Sequence, residues 1–184
     1  MKLSTIINEI RTRCPDLDNR VYGLAEYANA DETVDTVLPA VFVLPESDKP
    51  DEPTGTQKYR QVVDFNFLVT VRVSTETDEQ GGEAFDAAMD IRTQIFRAIL
   101  GWEPYGKTGE WVVYRGLQVE PMTRSRLDVS FAFSIEENLT DDDSRHGYDI
   151  DRLDDFLRVH TDVDLAKPDG AIDAKFDINV REGM

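Results

Sequence analysis

The chain has 184 residues and a formal net charge of −17, with 37 acidic against 20 basic side chains. Such an acidic surface repels phosphate, which excludes tight nucleic-acid binding as a leading function. Hydrophobic residues make up 40% of the chain, enough to build a core, and no apolar run is long enough to span a bilayer. One cysteine, Cys14, allows no internal disulfide, and the N-terminus lacks a signal-peptide pattern. We therefore expect a folded protein made in the cytoplasm.

The first forty-five residues predict a helix followed by a buried strand. Ser4 can cap a helix whose apolar residues recur at helical spacing up to Cys14, and Pro15 ends it. Residues 16–36 are mixed, with a short strand predicted within 20–28. The run "VLPAVFVLP" at 37–45 predicts a buried strand that is bounded by prolines.

A polar, proline-rich segment at 46–58 then predicts a long projecting loop. Its charged residues are Glu46, Asp48, Lys49, Asp51, Glu52 and Lys58. The next segment, 62–74, alternates strictly between apolar and mostly polar residues, which indicates one strand of roughly 43 Å at about 3.3 Å per residue.

A helix over 83–100 and two strands over 111–119 and 126–137 complete the predicted core. The order of elements favours an α+β fold: a mixed, mainly antiparallel sheet with two helices packed on one face.

The composition changes after Glu137. Residues 136–184 carry 15 acidic and 6 basic side chains, a net charge of −9, which leaves −8 for the first 135 residues. We therefore divide the chain into a core domain, 1–137, and an acidic extension, 138–184. The extension is predicted to hold a short helix over 150–160 and to end in an extra strand over 171–180.

The terminal strand raises the question of its partner. Its alternate residues are apolar, namely Ile172, Ala174, Phe176, Ile178 and Val180. Two partners fit the pattern: a free edge of the chain's own sheet, or an edge of a neighbouring copy's sheet. We favour the neighbour, and we expect these five residues, with Trp102 and Trp111, to form an oligomer interface.

The motifs that carry chemistry are missing from the sequence. The aspartates at 149–155 lack the order and the glycine of a calcium-binding loop. His146 and His160 accompany no candidate nucleophile, and Cys14 lies on the apolar side of its helix. The sequence therefore predicts neither an enzyme nor a bound metal or cofactor.

Three segments in order resemble a known family. They are "LPAVFVLP" at 38–45 with the following loop, which ends in "QKYRQVVDFNFLVTVRV" at 57–73, then "AILGWEP" at 98–104 and "EWVVYRGLQVEPMTRSRLDVSFAFSIE" at 110–136. The resemblance extends over residues 3–137. Together they resemble the tail terminator, or tail-completion, proteins of tailed bacteriophages, especially a group from contractile-tailed phages. The positions that carry the resemblance are Pro39, Phe42, Pro45, Gln61, Gly101, Trp102, Pro104 and Gly116.

The resemblance implies a structural virion protein, assembled in the host cytoplasm and placed at the tail–neck junction. It implies a homo-hexameric ring that caps the tail tube, stops the growth of tube and sheath, and offers a surface to the neck connector. The charged residues of the projecting loop at 46–58 would face the tube or the lumen of the ring. DNA would pass through the ring without tight binding. Two alternatives stay open: a head-completion or neck connector protein, and an acidic DNA mimic that occupies the groove of a nucleic-acid enzyme.

Overall fold

The computed structural model describes residues 2–29, 37–54, 58–76, 78, 81–106, 110–150, 158–163 and 174–179. The chain divides into two compact units, residues 1–141 and residues 142–184. The helices and strands of the first unit are α1 (Leu3–Arg13), β1 (Val21–Tyr22), α2 (Leu24–Asn29), β2 (Ala40–Pro50), β3 (Gln61–Ser74), α3 (Gly82–Ile99), β4 (Val112–Val119) and β5 (Arg126–Leu139). Those of the second are α4 (Arg145–Ile150), β6 (Arg158–Val163) and β7 (Ala174–Asn179).

The first unit is built on a five-stranded sheet with the order β1-β2-β3-β5-β4. The short β1 runs parallel to β2, and the other neighbours are antiparallel. This confirms the predicted α+β class with a mixed, mainly antiparallel sheet.

Helices α1 and α3 cover one face of this sheet, as the sequence predicts. Alternate residues of β3 and β5 bury their side chains beneath them because the strands alternate between two faces, as Val69 and Phe131 show. From α1 come Ile6 and Ile10, both fully buried. At the start of α3, the Asp78 carboxylate accepts hydrogen bonds from the backbone N–H groups of two residues, at 2.8 and 2.9 Å. It thereby satisfies donors that a helix start leaves without partners.

The opposite face carries a smaller core that the sequence did not predict. The short helix α2 places Tyr27 against Phe42, with ring centroids 5.2 Å apart. The predicted short strand over 20–28 is thus correct only for Val21–Tyr22, and the helix begins directly after Gly23. The Glu26 carboxylate accepts a hydrogen bond from the Gly23 N–H at 3.2 Å, which favours this early turn.

Strand β2 extends beyond the predicted boundary. It ends at Pro50 instead of Pro45, so residues 46–50 of the predicted loop form a strand. The sequence is polar there because this half of β2 is exposed, and pairing with β3 holds it extended. The loop prediction was therefore wrong for 46–50.

The second unit gives the final strand a partner that the sequence did not suggest. Strand β7 pairs antiparallel with β6, and the register places Val159 opposite Ile178 and Thr161 opposite Phe176. The helix predicted over 150–160 was wrong over 158–160, which lie in β6. The observed helix, α4, ends at Ile150, where the predicted one began. Residues 151–157 lie outside the described part. The interface predicted on this strand stays a prediction, and its residues Ile172 and Val180 also lie outside the described part.

Candidate assembly interface

Strands β2, β3 and β5 form an arm that continues past the helix-covered core. We define the arm as the described residues 45–54, 58–66 and 136–139. The fully buried residues of the core end at Phe67 on β3 and at Ile135 on β5, whereas β3 begins at Gln61 and β5 continues to Leu139. Each of these strands has 14 residues, about 46 Å at roughly 3.3 Å per residue. The arm is therefore a charged, solvent-exposed part of the sheet that extends beyond the hydrophobic core.

Hydrogen bonds order the end of the arm. The N–H of Asp51 donates to the carbonyl of Val62 at 2.8 Å, and the N–H of Thr54 donates to the carbonyl of Arg60 at 2.8 Å. The side chain of Gln61 donates to the carbonyl of Asp51 at 2.8 Å and accepts from the Tyr59 hydroxyl. Gln61, a position that carried the family resemblance, thus holds the two sides of the hairpin together.

The charged residues predicted to face the tube or lumen all lie on this arm. They are exposed and occupy three parts of it: Glu46, Asp48 and Lys49 on β2, Asp51 and Glu52 after it, and Lys58 before β3. Their role in facing a tube or lumen stays a prediction.

The outer edge of β2 on the arm is poor in hydrogen-bond donors. The Asp51 N–H points to β3, and the backbone polar groups of successive strand residues point alternately to one side of the strand and to the other. The backbone polar groups of Pro50 and Asp48 therefore point away from β3. At the other end of the strand, the Val41 N–H points to the β1 side, away from β3. Counting in steps of two residues, the backbone of Pro45 also points away from β3, and the irregularity between Pro45 and Ser47 comes only after it. Two of these three outward positions are prolines, so Asp48 supplies the one N–H among them.

The opposite edge of the sheet, β4, has a complete set of backbone groups. The Glu120 N–H donates to Asp128 on β5 at 3.0 Å, so the backbone of Val119 and Leu117 points outward. At the start of the strand, Val112 bonds outward to Trp102 at 2.9 Å, so Tyr114 also points outward. Within the described residues, the outward N–H and C=O groups of Tyr114, Leu117 and Val119 have no backbone partner.

Exposed apolar side chains accompany this open edge. Trp111, Leu117, Val119 and Met122 are each between 44 and 47% exposed. We call them the β4 patch. The sequence indicated only Trp111 of the four, as a predicted interface residue. The sequence did not mark the other three as exposed, because the strand order decides which strand lies at the edge of the sheet.

Several of the remaining positions that carried the resemblance have a structural explanation. Gly101 has φ +74° just after α3, and Gly116 has φ +148° just after the irregularity in β4, conformations that side-chain-bearing residues rarely adopt. Trp102 is half-buried and packs against the core, unlike the exposed Trp111. Phe42 is fully buried. Pro39 directly precedes β2.

The buried polar groups of the first unit hold the sheet together. The guanidinium of Arg72 donates to both carboxylate oxygens of Asp128, at 2.8 and 2.7 Å, and lies 5.2 Å from the ring centroids of Tyr27 and Phe42. The two residues are direct partners across β3 and β5. This ion pair fixes the sheet and its second core rather than a ligand.

Among the described residues, two side chains have pKa values raised above their ordinary values. Burial, and secondarily the carboxylate of Asp16, raises the pKa of the Cys14 thiol. Burial, followed by the charges of Glu137 and Glu110, raises the pKa of Tyr105. Both shifts favour the neutral form, the opposite of what an activated nucleophile needs. Within the described ranges, no group of three His, Cys, Asp or Glu side chains could hold a metal ion. Nor does any described helix have the length and hydrophobicity to cross a membrane.

Comparison with known proteins identifies the family. The family model described as "Phage tail terminator protein" matches residues 1–143. The chain belongs to the phage tail terminator family. This chain is accordingly a structural, tail-related component of a virion, and its family is not known for enzymatic activity.

A search of solved structures adds a distant likeness. A chain of the "Virion of native gene transfer agent (GTA) particle" is similar to this protein at 13% identity and a TM-score of 0.44, over 73% of this chain and 94% of that one. No curated protein matches the chain significantly in sequence.

Proposed function

We propose that six copies of this chain close a ring on the end of a tail tube and stop its growth. The observation that carries this proposal is the family match, which spans the whole of the first compact unit. The open β4 edge and the extended arm support it, because a subunit that joins others through its sheet needs accessible strand edges.

The ring would have three kinds of protein partner besides further copies of the chain. One face would meet the tail tube protein and, in a contractile tail, the sheath protein, while the other would offer a surface to the neck connector. Assembly would take place in the host cytoplasm and leave the ring at the tail–neck junction. The extension, with the interface predicted on Ile172, Ala174, Phe176, Ile178 and Val180, would add contacts between copies.

The acidic charge gives the ring a second property. Six copies at −17 each carry 6 × −17, roughly a hundred negative charges, around a channel for DNA. Phosphate is repelled from such a surface, so DNA slides through without adhering. Reversal of acidic charges that line the channel should slow DNA ejection, and ejection at an unchanged rate would contradict this use of the charge.

Tail assembly without the protein tests the proposed function. Particles that lack it should carry tubes of excess length, measured by negative-stain microscopy, and the wild-type chain supplied in trans should restore the length. Tubes of normal length without attached heads would indicate a head-completion or neck connector protein. A purified chain that stays monomeric or dimeric, ignores tubes and inhibits a nucleic-acid enzyme would indicate a DNA mimic.

A further inference from the structure

The two edges of the five-stranded sheet differ in a way that determines which edge can join which. The outward positions of the arm are Pro45, Asp48 and Pro50, which offer three carbonyl acceptors but a single N–H donor. Those of β4 offer donors and acceptors at every position. Two β2 edges facing each other would be left almost without donors, whereas a β4 edge can supply the donors that β2 lacks.

Charge separates the two edges in the same sense. The exposed outer strand of the arm and the residues after it carry Glu46, Asp48, Asp51 and Glu52 against Lys49. Around β4 lie Arg115, Arg124 and Arg126 against Glu120 and the buried Glu110. Two β4 edges would bring arginines together, while β4 against the arm brings opposite charges together. The arm's other cations, Lys58 and Arg60, precede β3 and are not on the outer strand.

Strand direction and side-chain placement also allow the β4 edge to pair with the arm. Three successive antiparallel pairings separate β2 from β4, so the two edge strands run in opposite directions. Copies related by rotation about an axis that is tilted from the strands therefore bring β4 and β2 together antiparallel. The tilt supplies a stagger between copies, as in a barrel of inclined strands, and Asp48 faces Leu117 at a stagger of 135 − 131 = 4 residues on β5. The register also puts Asp48 opposite Phe65, and Leu117 opposite Phe131; both phenylalanines pack in the core under α1 and α3. The two outward residues thus lie on the same face of the continued sheet.

We propose that the β4 edge of one copy pairs with the arm segment Pro45–Pro50 of the next copy. This contact is heterologous, since different surfaces of the two copies meet, and a heterologous contact repeats until the rotation closes a ring. The prolines prevent two arms from pairing, and Leu117 and Val119 of the β4 patch are covered by the neighbour. The inference rests on the proposed ring and adds which surfaces form it.

Cysteine cross-linking tests this pairing on the full chain. In a Cys14→Ser background, three double variants place cysteines at outward positions that face each other in the proposed antiparallel register: Asp48→Cys with Leu117→Cys, Pro45→Cys with Val119→Cys, and Pro50→Cys with Tyr114→Cys. Paired strands bring Cα atoms to about 5.5 Å, within disulfide range. Mild oxidation of samples in which microscopy shows rings should give at least one double variant a ladder of covalent species up to the full ring. The matched single-cysteine variants should stay uncross-linked.

The other outcomes are distinct. Dimers from Leu117→Cys alone would show β4 against β4, and dimers from Asp48→Cys alone would show arm against arm; either overturns the inference. Rings from which none of the three double variants gives a ladder would also overturn it and leave the proposed function standing. Absence of rings, alone or on tubes, would instead overturn the proposed function.

A proline substitution tests the donors directly. The Val119 N–H points outward, so Val119→Pro removes a donor from the edge without removing a bond to β5. We expect ring formation to require at least about tenfold more protein. Val119→Thr, which keeps the N–H, is the matched control. If Val119→Pro keeps the wild-type circular dichroism and assembles as well as Val119→Thr, the β4 edge is not the joint.

Discussion

At the scale of single residues, the Arg72–Asp128 pair shows how the sheet tolerates charge in its interior. Both side chains are buried, at 3 and 8% exposure, and two hydrogen bonds join them across neighbouring strands. A buried pair of this kind adds little to stability relative to an apolar pair, but loss of one partner leaves the other charge buried and unpaired. Its stacking against Tyr27 and Phe42 ties α2 to the sheet.

Asp128→Ala should therefore lower the free energy of unfolding by about 3–5 kcal/mol, measured by urea denaturation. The double variant Arg72→Met/Asp128→Leu removes both charges and should lose much less. A decrease below about 1 kcal/mol for Asp128→Ala would show that the charge of the remaining arginine is not left buried and uncompensated.

Cys14 gives a prediction with a pH dependence. The folded state raises the pKa of this thiol above the ordinary 9.0. Its contribution to stability is therefore complete below pH 9.0 and is lost as the pH rises from there through the raised pKa of the folded state. At pH 8 the buried thiol should react with a thiol reagent about a hundredfold more slowly than in denaturant. Ser47→Cys in a Cys14→Ser background, at an exposed position on the arm, is the control and should react fast in the folded protein. Equal rates for the two thiols would contradict the burial of Cys14.

At the scale of elements, the strongly periodic segments were predicted well. Helix α3 was predicted over 83–100 and occupies Gly82–Ile99, and β5 was predicted over 126–137 and occupies Arg126–Leu139. Each has a buried face long enough for its period to be read locally.

The missed elements depend on contacts between distant segments. The second half of β2 is polar and proline-rich, and only its pairing with β3 makes it a strand. Strand β6 lies where helical spacing of apolar residues had predicted a helix, and pairing with β7 decides its conformation. The open β4 edge could not be predicted either, because strand order determines which strand is last in a sheet.

The prolines of β2 give a prediction at this scale. Pro45→Val with Pro50→Val restores two outward N–H groups without altering the bonds to β3. The free energy of unfolding should change by no more than about 1 kcal/mol, while light scattering at rising concentration should show new high-mass species from arm-to-arm pairing. Pro53→Val, in the arm but beyond the strand, is the control. Unchanged scattering in the double variant would show that the prolines do not protect the edge.

At the scale of the whole molecule, truncation near the boundary between the two compact units tests what the second unit contributes. Strand β5 continues to Leu139, and the Asp141 carboxylate accepts a hydrogen bond from the Tyr59 N–H at 2.6 Å, so a cut at residue 138 would damage the sheet. A chain that ends at Asp143 keeps both features and all of the family match.

This truncated chain should fold and still form rings, because the proposed joint lies within the first unit. Its rings should need about tenfold more protein if the terminal strand contributes contacts between copies. Light scattering of both chains over a concentration series measures the difference. Unchanged assembly would remove the extension from the interface, and complete loss of rings from a folded truncated chain would place the main joint in the extension.

The most direct measurement of the central claim is electron microscopy of the purified full-length protein mixed with purified tail tubes. The account predicts a closed ring on one end of each tube, with subunits joined through continuous sheet, and no further growth when tube protein is added. Bare tube ends that keep growing beside a solitary, compact protein would contradict it.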